Sequence, residues 1–257
     1  MKRSIFISLV LSLLVSACAA PAVESPTAAV ESTETPLPPT ATETPEPTEV
    51  PTQTPLPSPT PDLRIITEDP RALVLLTEDL PEDGNYFISQ DKGSVSNEMI
   101  VYEFTRQLGE ETAQIVDLYL QETSRLDGYS QVWTRGNWIF EGPHYIANEI
   151  AVFKTARGAE LEVTKYKPLL ISAMDGRVPS HQEVQIGDHT RIYVDTVSAN
   201  GQEADIILVE FSYRNVVIDI GCWGEKEKYT LDQVLEIAEN VYQRLLELPL
   251  GEPGPES

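Results

Sequence analysis

The chain has 257 residues, with 18 basic against 41 acidic side chains and a formal net charge of −23. So acidic a surface repels phosphate, which argues against nucleic acid as a partner and against attachment to anionic lipid through the protein face. Only two cysteines are present, Cys18 and Cys222, so a disulfide framework is excluded as the main source of stability.

Lys2 and Arg3 precede an apolar run from Ile5 to Leu14 interrupted only by serines, and Val15-Ser16-Ala17-Cys18 closes it. A spanning helix needs roughly 20 apolar residues and this run has about half of that, so it reads as the hydrophobic region of an export signal. The closing residues resemble the bacterial lipobox, in which small residues precede a cysteine that receives a diacylglyceryl group before cleavage. The resemblance implies a bacterial lipoprotein. Residues 1–17 would be the signal peptide, Cys18 the lipidated residue, and the acyl chains on Cys18 the link to its partner, the cell membrane, on the extracytoplasmic face. Cys222 would then lack a partner in the chain. In Gly221-Cys222-Trp223-Gly224, after an apolar run, it reads as a small buried hydrophobe.

Residues 18–62 form the next segment. Between Ala19 and Asp62 there are twelve prolines and ten threonines among 44 residues, seven acidic side chains, and no basic or aromatic ones. Such a composition cannot bury enough apolar surface to offset the entropy of ordering, and its prolines favour extended polyproline II. At about 3.1 Å per residue the reach is on the order of 130 Å. The segment reads as a disordered tether, with an O-glycosylated stalk as the alternative.

Residues 63–248 are expected to form a single globular domain, followed by a disordered tail at 249–257. Arg71 to Leu76 is a short apolar run, read as a short strand or a docking turn, before the turn cluster Asp79 to Gly84. From Asn97 the pattern is helical: Met99, Ile100, Phe104 and Leu108 share one side, Gly109 interrupts, and Ala113, Val116 and Leu120 resume it. Two consecutive helices are predicted, ending near Arg125 to Gly128 with the glycine past the last turn. The period then changes to two, giving strands at Tyr129–Trp133 and Ile146–Phe153. A short helix follows within Ala156–Tyr166, beginning near Gly158-Ala159, and Pro168 and Pro179 punctuate what comes next. Arg191–Asp195, Asp205–Phe211 and Val216–Ile220, joined by Asn200-Gly201 and by Tyr213 to Asn215, predict an antiparallel meander. Thr230 with Gln233 three residues on is a capping box. Leu231, Val234, Leu235, Ala238, Val241, Tyr242 and Leu245 then recur at helical spacing until Pro249.

This order of elements predicts an α+β fold, a mostly antiparallel sheet with a C-terminal helix and further helices packed on it. The C-terminal half, from Ile146 to Leu248, resembles extracytoplasmic domains of the Mog1/PsbP-like kind. The resemblance rests on the helix near Gly158-Ala159, the meander with Asn215 to Ile220, and the long last helix. It implies a binding, sensing or accessory role without catalysis, and it transfers no active-site residue.

The common catalytic signatures are missing: no Gly-x-Ser-x-Gly, no phosphate loop, no His-Glu-x-x-His and no Cys-x-x-Cys. His181 and His189 flank Glu183 and Asp188, but solvated side chains are a simpler reading than a metal site, and no metal or cofactor is expected. Acidic pairs such as Glu110-Glu111 and Glu160/Glu162 read as solvated faces. The richest stretch is Thr134–Tyr145, a connection carrying Trp138, Phe140 and Tyr145, either folded back as a lid on the core or presented to a ligand. Trp223, placed in the turn after the last meander strand, and Arg214 are candidates to join them in receiving a small molecule, glycan or peptide. The expected function is therefore a lipid-anchored binding, sensing or accessory module. An extracytoplasmic hydrolase with an unrecognised site is the second reading, and a structural spacer without a pocket the third.

Overall fold

The computed structural model describes residues 64–137, 141–175, 184–199 and 202–252. The expected signal peptide, Cys18 and the tether lie outside these ranges, as do Trp138, Phe140, Pro179, His181 and Asn200-Gly201.

Six strands, β2 (Tyr86–Ser94), β3 (Arg125–Arg135), β4 (Tyr145–Phe153), β5 (His189–Ala199), β6 (Gln202–Tyr213) and β7 (Val216–Glu225), form one antiparallel sheet in the order β2-β3-β4-β7-β6-β5. The fold is α+β, as predicted. Central β7 is buried on both faces from Val216 to Ile220, which is why its sequence is nearly continuous in apolar residues. Edge strand β2 is not among the predicted elements. Register shifts between Ile88 and Gln90 and between Asp91 and Gly93 interrupt its alternation, so no period of two survives in the sequence.

On one face of the sheet lies α5 (Leu231–Leu246). Its capping box is made as expected: the Thr230 amide donates to Gln233 Oε1 at 2.9 Å, and the Gln233 amide donates to Thr230 Oγ1 at 3.4 Å. Val234, Ile237, Ala238, Val241 and Leu245 are buried against Ile207, Val209, Phe211, Ile218 and Ile220. The N-terminal chain docks on the same core. Pro70–Leu73 is a 3-10 turn, the Leu75 amide donates to Asn148 Oδ1 at 2.8 Å, and Arg244 of α5 donates to the Val74 carbonyl at 2.8 Å. Arg71 to Leu76 is thus a docking turn and not a strand. Short strand β1 (Ile65–Ile66) pairs with β8 (Leu250–Gly251), so the ordered chain runs past Leu248, where a tail was expected to begin.

The other face carries α1 (Asn97–Leu108), α2 (Glu110–Thr123), α3 (Ala156–Leu161), a π-helical turn at Glu162–Tyr166, and α4 (Lys167–Asp175). Ser96 caps α1, and Gly109 at φ 84° separates it from α2. Helix α2 ends earlier than expected, at Ser124 in the left-handed region with φ 51°, and Gly128 lies inside β3. Its glycine answers a different need, since a Cβ there would strike the Arg125 guanidinium and the Ile150 carbonyl. Pro168 does not end the helical run. It is the second residue of α4, separated only by Lys167 from the π turn where the hydrogen-bond ladder is already rearranged, and α4 continues to Asp175. Among the described residues no helix is long and apolar enough to cross a membrane.

Candidate functional site

Antiparallel register sets side chains opposite one another on a common face. Following it across the sheet, Ser130 of β3 stands opposite Glu149 of β4, Glu149 opposite Asp219 of β7, Asp219 opposite Glu210 of β6, and Glu210 opposite Arg191 of β5. Three acidic residues therefore sit on three adjacent strands spaced about 4.8 Å apart, under the layer formed by α1 to α4. Like charges directly opposite in a sheet repel, so the row requires compensation.

The helical layer brings some. The π turn rotates Glu162, Val163 and Tyr166 all inward, and it delivers Lys167 at the first position of α4. Lys167 Nζ donates to Asp219 Oδ2 at 2.5 Å. Burial pulls the Lys167 ammonium down, but the combined field of Asp219, Glu210, Glu149 and Glu162 outweighs it and holds its pKa well above the usual value. Burial pushes the Glu162 carboxyl up, opposed by Lys167 and reinforced by Asp219. Burial likewise drives Glu210 well above the carboxylate range, and neighbouring Asp219 adds to it. Asp219 is raised by burial and held back by Lys167. The cluster thus holds its carboxyl protons more tightly than free carboxyls do.

A cavity of about 300 Å³ opens over this row. Ser130, Glu149, Asp219, Glu162 and Lys167 line its polar side, while Met99, Ile100, Phe104, Leu170 and Val217 give it apolar walls. Met99 and Glu149 are exposed at its mouth, beside Lys92 and Glu103. Burial lowers the Lys92 pKa, against the pull of Glu149 and Glu103. Apolar walls with a few convergent polar groups are the composition of a small-molecule site.

Of the aromatic residues singled out from sequence, Tyr145 and Trp223 meet on this same face, stacked with ring centroids 5.1 Å apart and planes 20° apart. Trp223 lies within β7, not in a turn after it, because it pairs with Tyr145 of β4 and the pairing with β6 extends to Gly224 and Glu225. Arg214 is elsewhere. It occupies the β6–β7 turn at φ 56°, its amide donating to Asp188 Oδ2 at 2.7 Å, at the end of β7 opposite Trp223, about 23 Å away at roughly 3.3 Å per residue. Cys222 is fully buried, and burial raises its thiol pKa far beyond the reactive range. Among the described residues no group of three His, Cys, Asp or Glu side chains is arranged to hold a metal ion.

The expected solvated face at Glu160/Glu162 is corrected for Glu162, which is buried. Glu210 and Asp219 stand in the sequence between apolar neighbours, Val209 and Phe211 and Ile218 and Ile220, and Glu149 is the one acid of β4, a signal that sets them apart from the many acids in loops and on helix surfaces.

No family model matches the chain, and no curated protein matches it. Among solved structures, the extracellular domain of PknH from Mycobacterium tuberculosis aligns with a TM-score of 0.43 at 15% identity, covering 72% of this chain and 98% of that domain. At that level the likeness bears on neither ligand nor activity.

Proposed function

We propose that this protein is a lipid-anchored extracytoplasmic binding module. Acyl chains on Cys18 would hold it to the membrane, residues 19–62 would act as its tether, and the cavity over the carboxylate row would take a small ligand. The single observation that carries the binding role is the cavity itself, with its buried polar floor and an exposed mouth at Met99 and Glu149. The anchor rests on the Val15-to-Cys18 segment and the charged apolar leader before it. Each acyl chain contributes about 0.8 kcal/mol per buried methylene, so two chains suffice for stable attachment.

Two measurements test the reading. Mass spectrometry of protein purified from its native host is expected to find Cys18 as the first residue, bearing acyl chains; an unmodified Cys18 or a retained leader contradicts the anchor. Thermal-shift screening of fragments spanning cations, neutral molecules and anions is expected to find at least one class that stabilises the wild type and fails to stabilise Met99→Trp, which obstructs the mouth. Silence of every class contradicts the cavity as a ligand site.

An extracytoplasmic hydrolase is the second reading. On its side stands the upward shift of the Glu162 carboxyl, which lines the cavity, toward the proton-bearing form that a general acid needs. Turnover of glycoside, ester or peptide substrates that disappears in Asp219→Asn would favour it.

A further inference from the structure

Resting on the reading of the cavity as a ligand site, we propose that its ligand is a small organic cation, an ammonium or amidinium group borne on an apolar body. The argument is a mismatch between acceptors and donors. Asp219 Oδ1, Glu162 Oε2 and Ser130 Oγ belong to residues only 8%, 5% and 1% exposed, and all three residues line the cavity. None of these three atoms meets a hydrogen-bond partner among the described residues. Leaving a buried polar atom without a partner is costly, more so where it carries charge, so the Asp219 and Glu162 carboxyl oxygens favour an occupant that supplies donors, and the Ser130 hydroxyl can accept from it as well.

The positive groups already present are committed. Lys167 is bound to Asp219 Oδ2 at 2.5 Å. Arg125 donates to Asn97 Oδ1 at 2.8 Å and to the Val95 carbonyl at 3.0 Å, fastening the start of α1 to β3. At the mouth, Lys92 faces two acids, Glu103 and Glu149. Glu149 is opposite Asp219 in register and exposed to the opening, so an entering cation meets one carboxylate at the rim and a second below it. An ammonium brings three donors and no acceptor, and an amidinium brings a planar fork. A carboxylate or phosphate brings acceptors alone and would add to the deficit. Met99, Phe104 and Leu170 provide the apolar surface for the rest of the molecule. The strongly acidic chain also raises the local concentration of cations.

Benzamidine, benzamide and benzoate share a ring and nearly a shape while differing in charge, so they isolate the chemistry. In calorimetric titration of the full chain near pH 7, benzamidine is expected to bind at least tenfold more tightly than benzamide, with benzoate not binding. Glu149→Gln, an exposed position whose variant is first checked for an unchanged melting temperature, is expected to weaken benzamidine at least fivefold and leave benzamide unaltered. Benzamide or benzoate binding as well as benzamidine overturns the cationic assignment while leaving the cavity a ligand site. Benzamidine binding that Glu149→Gln does not alter places the cation elsewhere on the acidic surface and also overturns it. Absence of binding by all three overturns it as well, and the wider fragment screen then decides separately whether the cavity binds anything.

Discussion

Asp219, Glu210 and Glu162 converge because each lies on a different element, and Lys167 is the cation that answers them from the helical side. Breaking a buried ion pair by deleting one member leaves the other charge uncompensated, which costs about 3–5 kcal/mol, whereas replacing a group that is already neutral costs little. Lys167→Met is accordingly expected to destabilise the domain by about 3 kcal/mol in urea unfolding, and Glu210→Gln by less than about 1 kcal/mol. Equal losses would show that Glu210 is ionised in the native state. The same carboxyls make stability depend on pH. Their folded-state pKa values are raised above unfolded values near 4, so their contribution is complete below about pH 4 and is lost as pH climbs through the raised values. The difference in unfolding free energy between wild type and Glu162→Gln/Glu210→Gln is expected to shift in favour of the variant as pH rises from 4 to 8. A difference constant over that range would remove these groups as the cause.

Helix α3 owes its seat to Gly158, where a Cβ would strike the Thr123 carbonyl and Phe153 Cβ. Gly158→Ala, which would stabilise an open helix, is expected here to lower stability by about 1–3 kcal/mol, measured as a lower urea midpoint at unchanged slope. Because α3 feeds the π turn, the same variant is expected to displace Glu162 and Lys167 from the row. What could be read from the chain and what could not follows a physical divide. Helix α5, its capping box and the β5–β6–β7 meander were legible because cap chemistry, apolar period and turn residues act over a few positions. The charged row was not, since Ser130, Glu149, Asp219 and Glu210 become neighbours only through strand register, which no local pattern encodes. Glu162, read as half of a solvated acidic pair, lies in the π turn and is buried there, a placement that composition does not encode. Bulged β2 escaped for a related reason, its alternation being broken twice within nine residues.

Taken together, the segments divide the labour. In the proposed function the N-terminal residues would address the protein and the acidic proline-rich segment would give reach, while the sheet supports a covered, charged cavity on one face and α5 closes the core on the other. Two places on that cavity face compete as the ligand site: the space over the carboxylate row, and the Tyr145–Trp223 stack farther along the same strands. The most direct measurement is an amide-resolved NMR titration with benzamidine. Saturable shifts centred on Ser130, Ala151, Val217 and Asp219, with Tyr145 and Trp223 unmoved, are the predicted result. Shifts centred on Tyr145 and Trp223, or spread evenly over the acidic surface, would contradict the account.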